Sequence, residues 1–238
     1  MNTTKERVIE SVRIPVHGVD LTGDLVVPDN AMGVVIFAHG SGSGRKSPRN
    51  QSVARDLNER RFATLLLDLL TPDEVAIDEV TRHLRFDVGL LATRLVGVID
   101  WTTTRAAIAH LPLGLFGAST GAAAALVAAA GRPDQVSAVI SRGGRPDLVT
   151  KILGRVRAAT LLVVGAEDQE VIALNEAAFH HLRPPKEMVL VSGASQLFEE
   201  AGALEEVARL TIGWFEHHLP FDDAVAPKSE PERVDEIC

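Results

Sequence analysis

The chain has 238 residues, which suits one α/β domain, and its 46% hydrophobic and 24% charged residues exclude an intrinsically disordered chain. A formal net charge of −8 argues against a nucleic-acid binder that depends on phosphate neutralisation. The one cysteine, Cys238, excludes an internal disulfide or a cysteine-based zinc site and fits a reducing compartment. No signal peptide is recognisable at the start, and the longest apolar run, residues 122–130, is too short to cross a bilayer. We expect a cytoplasmic protein that contacts neither membrane nor nucleic acid.

Strand and helix patterns alternate along the chain. Apolar patterns over residues 8–16 and 21–27 predict two adjacent strands. Further runs are typical of strands buried on both faces of a parallel sheet: residues 34–38, 63–67, 113–116, 136–140, 160–164 and 188–191. Helical patterns cover residues 48–60, 84–109, 120–130, 171–182 and 203–218. The order predicts an α/β fold with a mostly parallel sheet of about eight strands, helices on both faces and, from the short segment 73–81, a minimal lid.

The domain boundary is placed near the last helical pattern. We predict a single domain over residues 1–219 and an acidic tail over residues 220–238, which carries six acidic residues against Lys228 and Arg233. A solvated tail and a docking arm for a second subunit are the two interpretations of the tail. Under the second interpretation the protein would be a homodimer.

A candidate nucleophile follows the strand predicted at residues 113–116. The segment Gly117-Ala118-Ser119-Thr120-Gly121 leads from a buried strand directly into an alanine-rich helix. A sharp strand-to-helix turn would expose the Ser119 hydroxyl, while the glycines permit close backbone approach. The N–H groups at the start of the new helix would face a developing oxyanion. The alternative is a glycine-rich turn without chemistry.

A glycine-rich loop follows the third predicted strand. It reads His39-Gly40-Ser41-Gly42-Ser43-Gly44, and in α/β-hydrolases the loop at this place supplies the second oxyanion donor. A phosphate-binding loop is the rival, but Gly-Lys-Ser/Thr does not follow at the required spacing. We place His39 and Gly40 beside the substrate, and for His39 we favour bracing of the loop over a role as base.

Acidic and basic candidates follow two later strands. Asp168 lies 49 residues after the serine, in the chain order serine, acid, base, although it could simply cap the next helix. Arg142 and Arg145 follow the strand at 136–140, at the sheet edge where ligands of α/β proteins bind. They could clamp a substrate carboxylate. The alternatives are a salt bridge to Asp147 or a solvated loop.

These motifs together resemble the dienelactone-hydrolase-like branch of the α/β-hydrolase superfamily, over residues 8–219. The similar segments are residues 37–44, 47–50, 66–71, 117–122 and 141–147. The resemblance implies that Ser119 is the nucleophile, that Asp168 is the triad acid, and that the N–H groups of Ser41 and Thr120 form the oxyanion hole. Many dienelactone hydrolases carry cysteine at the elbow, whereas this chain has serine.

The base position departs from that family. Such proteins carry the catalytic histidine in a segment like Gly-Ala-Ser/Thr-His-Leu-Phe-Glu-Glu, and here Gln196 takes the histidine's place. A neutral amide cannot accept the serine proton, and Glu199 is the one titratable substitute nearby in the sequence. We therefore hypothesise a serine hydrolase of carboxylic esters or lactones with an incomplete triad, acting on a small molecule without metal or cofactor. A non-hydrolytic catalyst (cyclase, isomerase or lyase) and a non-catalytic binder are the alternatives.

Overall fold

The computed structural model describes residues 8–219. Its strands are β1 (Ile9–Val16), β2 (Val19–Val26), β3 (Gly33–Ala38), β4 (Phe62–Leu67), β5 (Leu113–Ala118), β6 (Val136–Arg142), β7 (Ala159–Gly165) and β8 (Lys186–Val191). Its helices are α1 (Pro48–Glu59), α2 (Pro72–Thr81), α3 (Val88–Thr102), α4 (Thr120–Gly131), α5 (Thr150–Leu153), α6 (Gln169–His181) and α7 (Ala203–His218), with 3₁₀ turns at Leu84–Phe86 and Pro146–Val149. The acidic tail predicted at 220–238 lies outside the described residues.

The strands form one sheet in the order β1-β2-β4-β3-β5-β6-β7-β8. The pairs β1–β2 and β2–β4 are antiparallel, and every later pair is parallel. Helices cover both faces, which confirms the predicted fold class. The carboxyl ends of β3, β5, β6, β7 and β8 consequently meet at one edge of the sheet, where α/β proteins place their ligands.

Two hydrophobic cores hold the layers together. Helices α3, α4 and α6 pack on one face of the sheet, and α1 and α7 pack on the other. Strands β3, β4, β5 and β7 are buried along their whole length, since both of their faces are covered. The continuous apolar runs in the sequence arise from this double burial.

The long helix predicted over residues 84–109 is wrong in its extent. A 3₁₀ turn comes first, and α3 begins only after Asp87, whose carboxylate accepts a hydrogen bond from the N–H of Leu90 at 2.9 Å. At the other end the hydroxyls of Thr102, Thr103 and Thr104 each donate to the carbonyl three residues earlier. Such local bonds compete with helix continuation, so α3 ends at Thr102.

Helix α2 occupies the segment expected to form a minimal lid. Thr71 and Glu74 form a capping box at its start, and the guanidinium of Arg94, which is buried on α3, pairs with the carboxylate of Glu74. The pair ties α2 to the body of the domain. No helix within residues 8–219 is long and apolar enough to cross a membrane.

Candidate active site

Ser119 lies at a sharp turn between β5 and α4. Its backbone has φ 51° and ψ −122°, a conformation that residues other than glycine rarely adopt. The turn is this tight because α4 starts almost on top of β5 and β3. A Cβ atom on Gly117 would lie 2.4 Å from Cα of Ala122, and one on Gly121 would lie 2.3 Å from the carbonyl oxygen of Ala38. The Ser119 side chain is left half-buried at the sheet edge.

The loop after β3 lies against this turn. A Cβ atom on Gly40 would be 3.2 Å from Cβ of Ser119 and equally close to the carbonyl oxygen of Ala118. The backbone N–H groups of Ser41 and Thr120 have no hydrogen-bond partner among the described residues. Thr120 is the first residue of α4, where N–H groups have no partner within the helix. Two backbone donors are therefore free on either side of the serine.

A cavity of about 230 Å³ opens at Ser119. It brings together five residues singled out in the sequence, namely Gly40, Ser41, Ser119, Arg142 and Gln196. Gln196 lines it from the loop after β8, and the backbone carbonyl oxygen of Gln196 would lie 2.9 Å from a Cβ atom on Gly143. The remaining lining residues are Ser43, Ser47, Arg49, Asn50, Ala118, Gly143 and Leu197.

Asp168 lies at the same sheet edge, on the loop after β7, and caps helix α6. Its carboxylate accepts a hydrogen bond from the N–H of Val171 at 3.1 Å. The loops that carry Asp168 and Gln196 are joined by the N–H of Glu167, which donates to the carbonyl of Ala194 at 3.0 Å. Asp168 does not itself line the Ser119 cavity. The capping role considered from the sequence is thus present in the structure.

His39 braces the glycine-rich loop. Its Nε2 accepts the N–H of Leu69 at 3.0 Å, and Nδ1 lies 2.9 Å from the carbonyl oxygen of Gly40, which requires the neutral tautomer with the proton on Nδ1. Burial lowers the pKa of His39 below its ordinary 6.5. His39 lines a second cavity of about 640 Å³, which shares Gly40, Ser41 and Ser43 with the first. It is absent from the wall of the Ser119 cavity.

Arg142, the last residue of β6, and Arg145, which follows the strand, have different surroundings. Arg145 donates two hydrogen bonds to the carboxylate of Asp147, both at 2.8 Å, and does not line the Ser119 cavity. Arg142 lines the cavity and is only 8% exposed. Its guanidinium carbon lies 5.8 Å from the ring centroid of Phe198. Desolvation and the nearby charge of Arg49 lower the pKa of Arg142 to about 10, so it is still protonated at neutral pH.

Arg49 and Asn50 are two cavity-lining residues to which sequence reasoning assigned no role in the site. They belong to the Ser-Pro-Arg-Asn segment, which carried the family resemblance without an assigned role. Arg49 forms an ion pair with Glu199, the proposed substitute base. Among residues 8–219, no group of three or more His, Cys, Asp or Glu side chains is arranged to hold a metal ion.

Comparison with known proteins gives relatives in sequence and in structure, whereas no protein-family model matches the chain. A dienelactone hydrolase from Anabaena variabilis, known from a crystal structure, is 55% identical with a TM-score of 0.89, over 91% of this chain and 100% of that one. Est1E from Butyrivibrio proteoclasticus shares the fold at 17% identity and a TM-score of 0.74, over 87% of this chain and 98% of its own.

Two curated proteins of Mycobacterium tuberculosis, from strains CDC 1551 and H37Rv, are each 51% identical over 210 residues, and each is named "Putative phosphoribosyl transferase". The match covers 88% of this chain and 46% of each relative. The chain therefore spans about half the length of these curated relatives.

Proposed function

The chain belongs to the dienelactone hydrolase family of α/β-hydrolases, and from this premise we propose that it is a serine hydrolase for a carboxylic ester or lactone bond of a small molecule. The observation that carries the proposal is the position of Ser119. It stands at a positive-φ turn between β5 and α4, in a cavity flanked by the free N–H groups of Ser41 and Thr120. A tetrahedral intermediate formed on Ser119 needs such donors at its oxyanion.

Each residue then has a role in acyl transfer. The Ser119 hydroxyl attacks the substrate carbonyl, and the N–H groups of Ser41 and Thr120 stabilise the oxyanion of the tetrahedral intermediate. The ester C–O bond then breaks, the serine proton passes directly or through water to the leaving alkoxide, and an alcohol and the acyl-enzyme result. Gln196 stands where the base would be and lines the same cavity. Its amide can hydrogen-bond the hydroxyl but has no accessible pKa, so it cannot take the proton. The role of Asp168 is to orient the residue at position 196.

The missing base sets the expected rate. Without the triad histidine, the oxyanion hole and substrate binding still provide a part of the catalysis, commonly about 10³-fold over water. We therefore propose that this chain is a weakened or inactivated hydrolase. His39 is not a replacement base, because its two ring nitrogens are hydrogen-bonded to the backbone of Gly40 and Leu69.

A non-hydrolytic reaction is the second candidate, and one observation favours it. The wall of the Ser119 cavity contains no carboxylate and no imidazole among the described residues. A cyclase, isomerase or lyase could use Gln196 and the oxyanion donors to orient and polarise a carbonyl without a base. The phosphoribosyl transferase name is not carried over, because it belongs to proteins about twice as long.

Covalent labelling tests the nucleophile. A fluorophosphonate probe should add one adduct mass to the wild-type protein, slowly, and to Gln196→His much faster, as read by intact-mass spectrometry. Ser119→Ala should remain unlabelled in both backgrounds. Absence of any adduct on Ser119 in folded wild-type and Gln196→His protein would refute the proposal.

A further inference from the structure

We propose that Asn175 of helix α6 is a positioning residue that holds the backbone of Ser119 in its strained conformation. It acts through residues 142–145, the clamp segment, which form the end of β6 and the turn after it. The inference rests on the proposed function only for what the held serine then does, which is nucleophilic attack. The hold on the backbone requires no reaction, so it can be measured separately.

The conformation of Ser119 depends on support from outside its own turn. A residue other than glycine at φ 51° and ψ −122° is strained and persists only where its surroundings fix it. Both backbone groups of the serine bind the clamp segment: its N–H donates to the carbonyl of Arg142 at 3.3 Å, and its carbonyl accepts the N–H of Arg145 at 3.2 Å. A further bond to this carbonyl, from the N–H of Ala122 at 3.1 Å, belongs to the start of α4 itself. A shift of the clamp segment would therefore shift the nucleophile.

Asn175 binds the middle of the clamp segment. Its side-chain amide donates to the carbonyl of Gly144 at 3.0 Å and to the carbonyl of Val171, one turn earlier in α6, at 2.8 Å. Two carbonyl acceptors require the nitrogen end of the amide to face them, so the orientation of the amide is determined. Asn175 has no exposed surface, and both bonds are shielded from competing water.

The clamp segment is packed closely against the turn that carries the serine. A Cβ atom on Gly144 would overlap Oγ of Ser141 and would lie 2.7 Å from Cβ of Ala122 in the first turn of α4. The N–H of Gly143 donates to the carbonyl of Val163 in β7 at 2.8 Å. Gly144 is thus enclosed by β6 and α4, and the amide of Asn175 holds it from α6.

A buried asparagine inside a helix is unfavourable unless its hydrogen bonds serve a purpose. Asparagine is a weaker helix former than leucine or alanine. The Oδ1 atom of Asn175 also has no hydrogen-bond partner among the described residues, which is a further penalty. If the position only filled space between α6 and the sheet, an apolar side chain would suit it better.

Helix α6 connects the candidate acid with the support of the candidate nucleophile. Asp168 caps this helix through the N–H of Val171 at 3.1 Å, and the carbonyl of Val171 accepts the amide of Asn175 about one turn further on. The same amide then reaches Gly144. Asn175 therefore places the clamp segment relative to the helix that begins at Asp168.

Asn58 in α1 provides a matched control. It is also buried, and its amide also donates two hydrogen bonds, to the carbonyl of Phe62 and to the hydroxyl of Thr64, both at 3.0 Å. Neither acceptor belongs to the clamp segment. Asn175→Leu and Asn58→Leu therefore remove the same group from a helix with a comparable loss of buried hydrogen bonds.

Asn175→Thr is a milder variant of the same position. A threonine hydroxyl in a helix can donate its single proton to the carbonyl of Val171, one turn earlier, and this leaves Gly144 without a donor. If Asn175→Leu fails to fold, Asn175→Thr decides the outcome.

Backbone hydrogen exchange, followed by NMR, measures the hold directly. In both Asn175 variants the amides of Ser119 and Arg145 should exchange at least about tenfold faster than in the wild type, the factor expected when one buried hydrogen bond is lost. In Asn58→Leu these two amides should exchange as in the wild type, while amides that open only with the whole fold, such as that of Leu162 in β7, exchange faster.

Fluorophosphonate labelling in the Gln196→His background measures the consequence for the nucleophile. Both Asn175 variants should lower the limiting labelling rate constant at least about tenfold and leave the probe concentration at half-maximal rate unchanged, because the serine is misplaced while the cavity remains. Asn58→Leu should change neither value. The fraction of protein that is finally labelled, read from the intact mass, separates slow labelling from unfolding.

The inference is overturned if the amides of Ser119 and Arg145 exchange in the Asn175 variants as in the wild type, or if Asn58→Leu accelerates them equally. An unchanged labelling rate constant in the Asn175 variants would also overturn it. Faster exchange in the Asn175 variants without labelling of Ser119 in any background would refute only the proposed hydrolase. Labelling of Ser119 together with unchanged exchange would refute only this inference.

Discussion

Replacing Gly121 by alanine should destabilise the protein although alanine is the better helix former. Gly121 lies in the first turn of α4, where alanine would be favoured by about 1 kcal/mol on helix propensity. The added Cβ, however, would lie 2.3 Å from the carbonyl oxygen of Ala38 and 2.4 Å from that of His39. Both distances are well below 3.0 Å, a limit that real Cβ atoms essentially never pass.

The clash should outweigh the propensity because both oxygens belong to the backbone. Relief requires β3 or the helix start to move by about half an ångström or more, and overpacking of this kind costs about 1–3 kcal/mol or more. We expect the free energy of unfolding, measured in urea, to fall by at least about 2 kcal/mol. Gly213→Ala in α7 is the control, since its Cβ would meet nothing within 4 Å, and it should be neutral or stabilising. A Gly121→Ala protein as stable as the wild type would contradict the close approach at the elbow.

Three further predictions concern side chains around the site. Burial lowers the pKa of His39 in the folded protein, so the unfolded chain takes up a proton on this residue at a higher pH than the folded protein does. The free energy of unfolding should therefore fall as the pH drops below 6.5. Urea unfolding at about pH 7.5 and 5.5 should show a smaller fall for His39→Gln than for the wild type. Arg94→Met should lower that free energy by about 3 kcal/mol because it leaves the carboxylate of Glu74 unpaired, and equal thermal stability would refute the anchoring of α2. Asp168→Asn in Gln196→His protein should keep the cap of α6, and so the melting temperature, while removing most of any esterase activity gained; unchanged activity would limit Asp168 to capping.

The layered fold was predictable because double burial leaves a strong pattern. The apolar run at residues 34–38 differs by one residue from β3, Gly33–Ala38. A strand covered on both faces has no solvent-facing polar positions, so its ends are visible as the ends of the apolar run. The end of α3 was not predictable from periodicity. The apolar pattern continues beyond Thr102, and threonine hydroxyl bonds to the helix carbonyls compete with its continuation.

The serine turn and the glycine-rich loop were predictable because each is a local motif. Ser119 and the loop at residues 39–44 each follow a strand directly, so the sequence indicates their positions at the sheet edge. Whether Arg142 or Arg145 pairs with Asp147 depends on the direction of each side chain, which sequence spacing does not settle. Asn50 reaches the cavity from α1, and only the adjacency of β3 and β5 brings that helix start near the serine.

Ester hydrolysis by Gln196→His tests the central claim most directly. With an imidazole at position 196, the Ser119 proton has an acceptor, and hydrolysis of 4-nitrophenyl acetate should rise at least about a hundredfold over the wild type. Adding Ser119→Ala should abolish the gain. Hydrolysis at the wild-type level in a folded Gln196→His protein would contradict the account, because residue 196 would then not be delivered to Ser119.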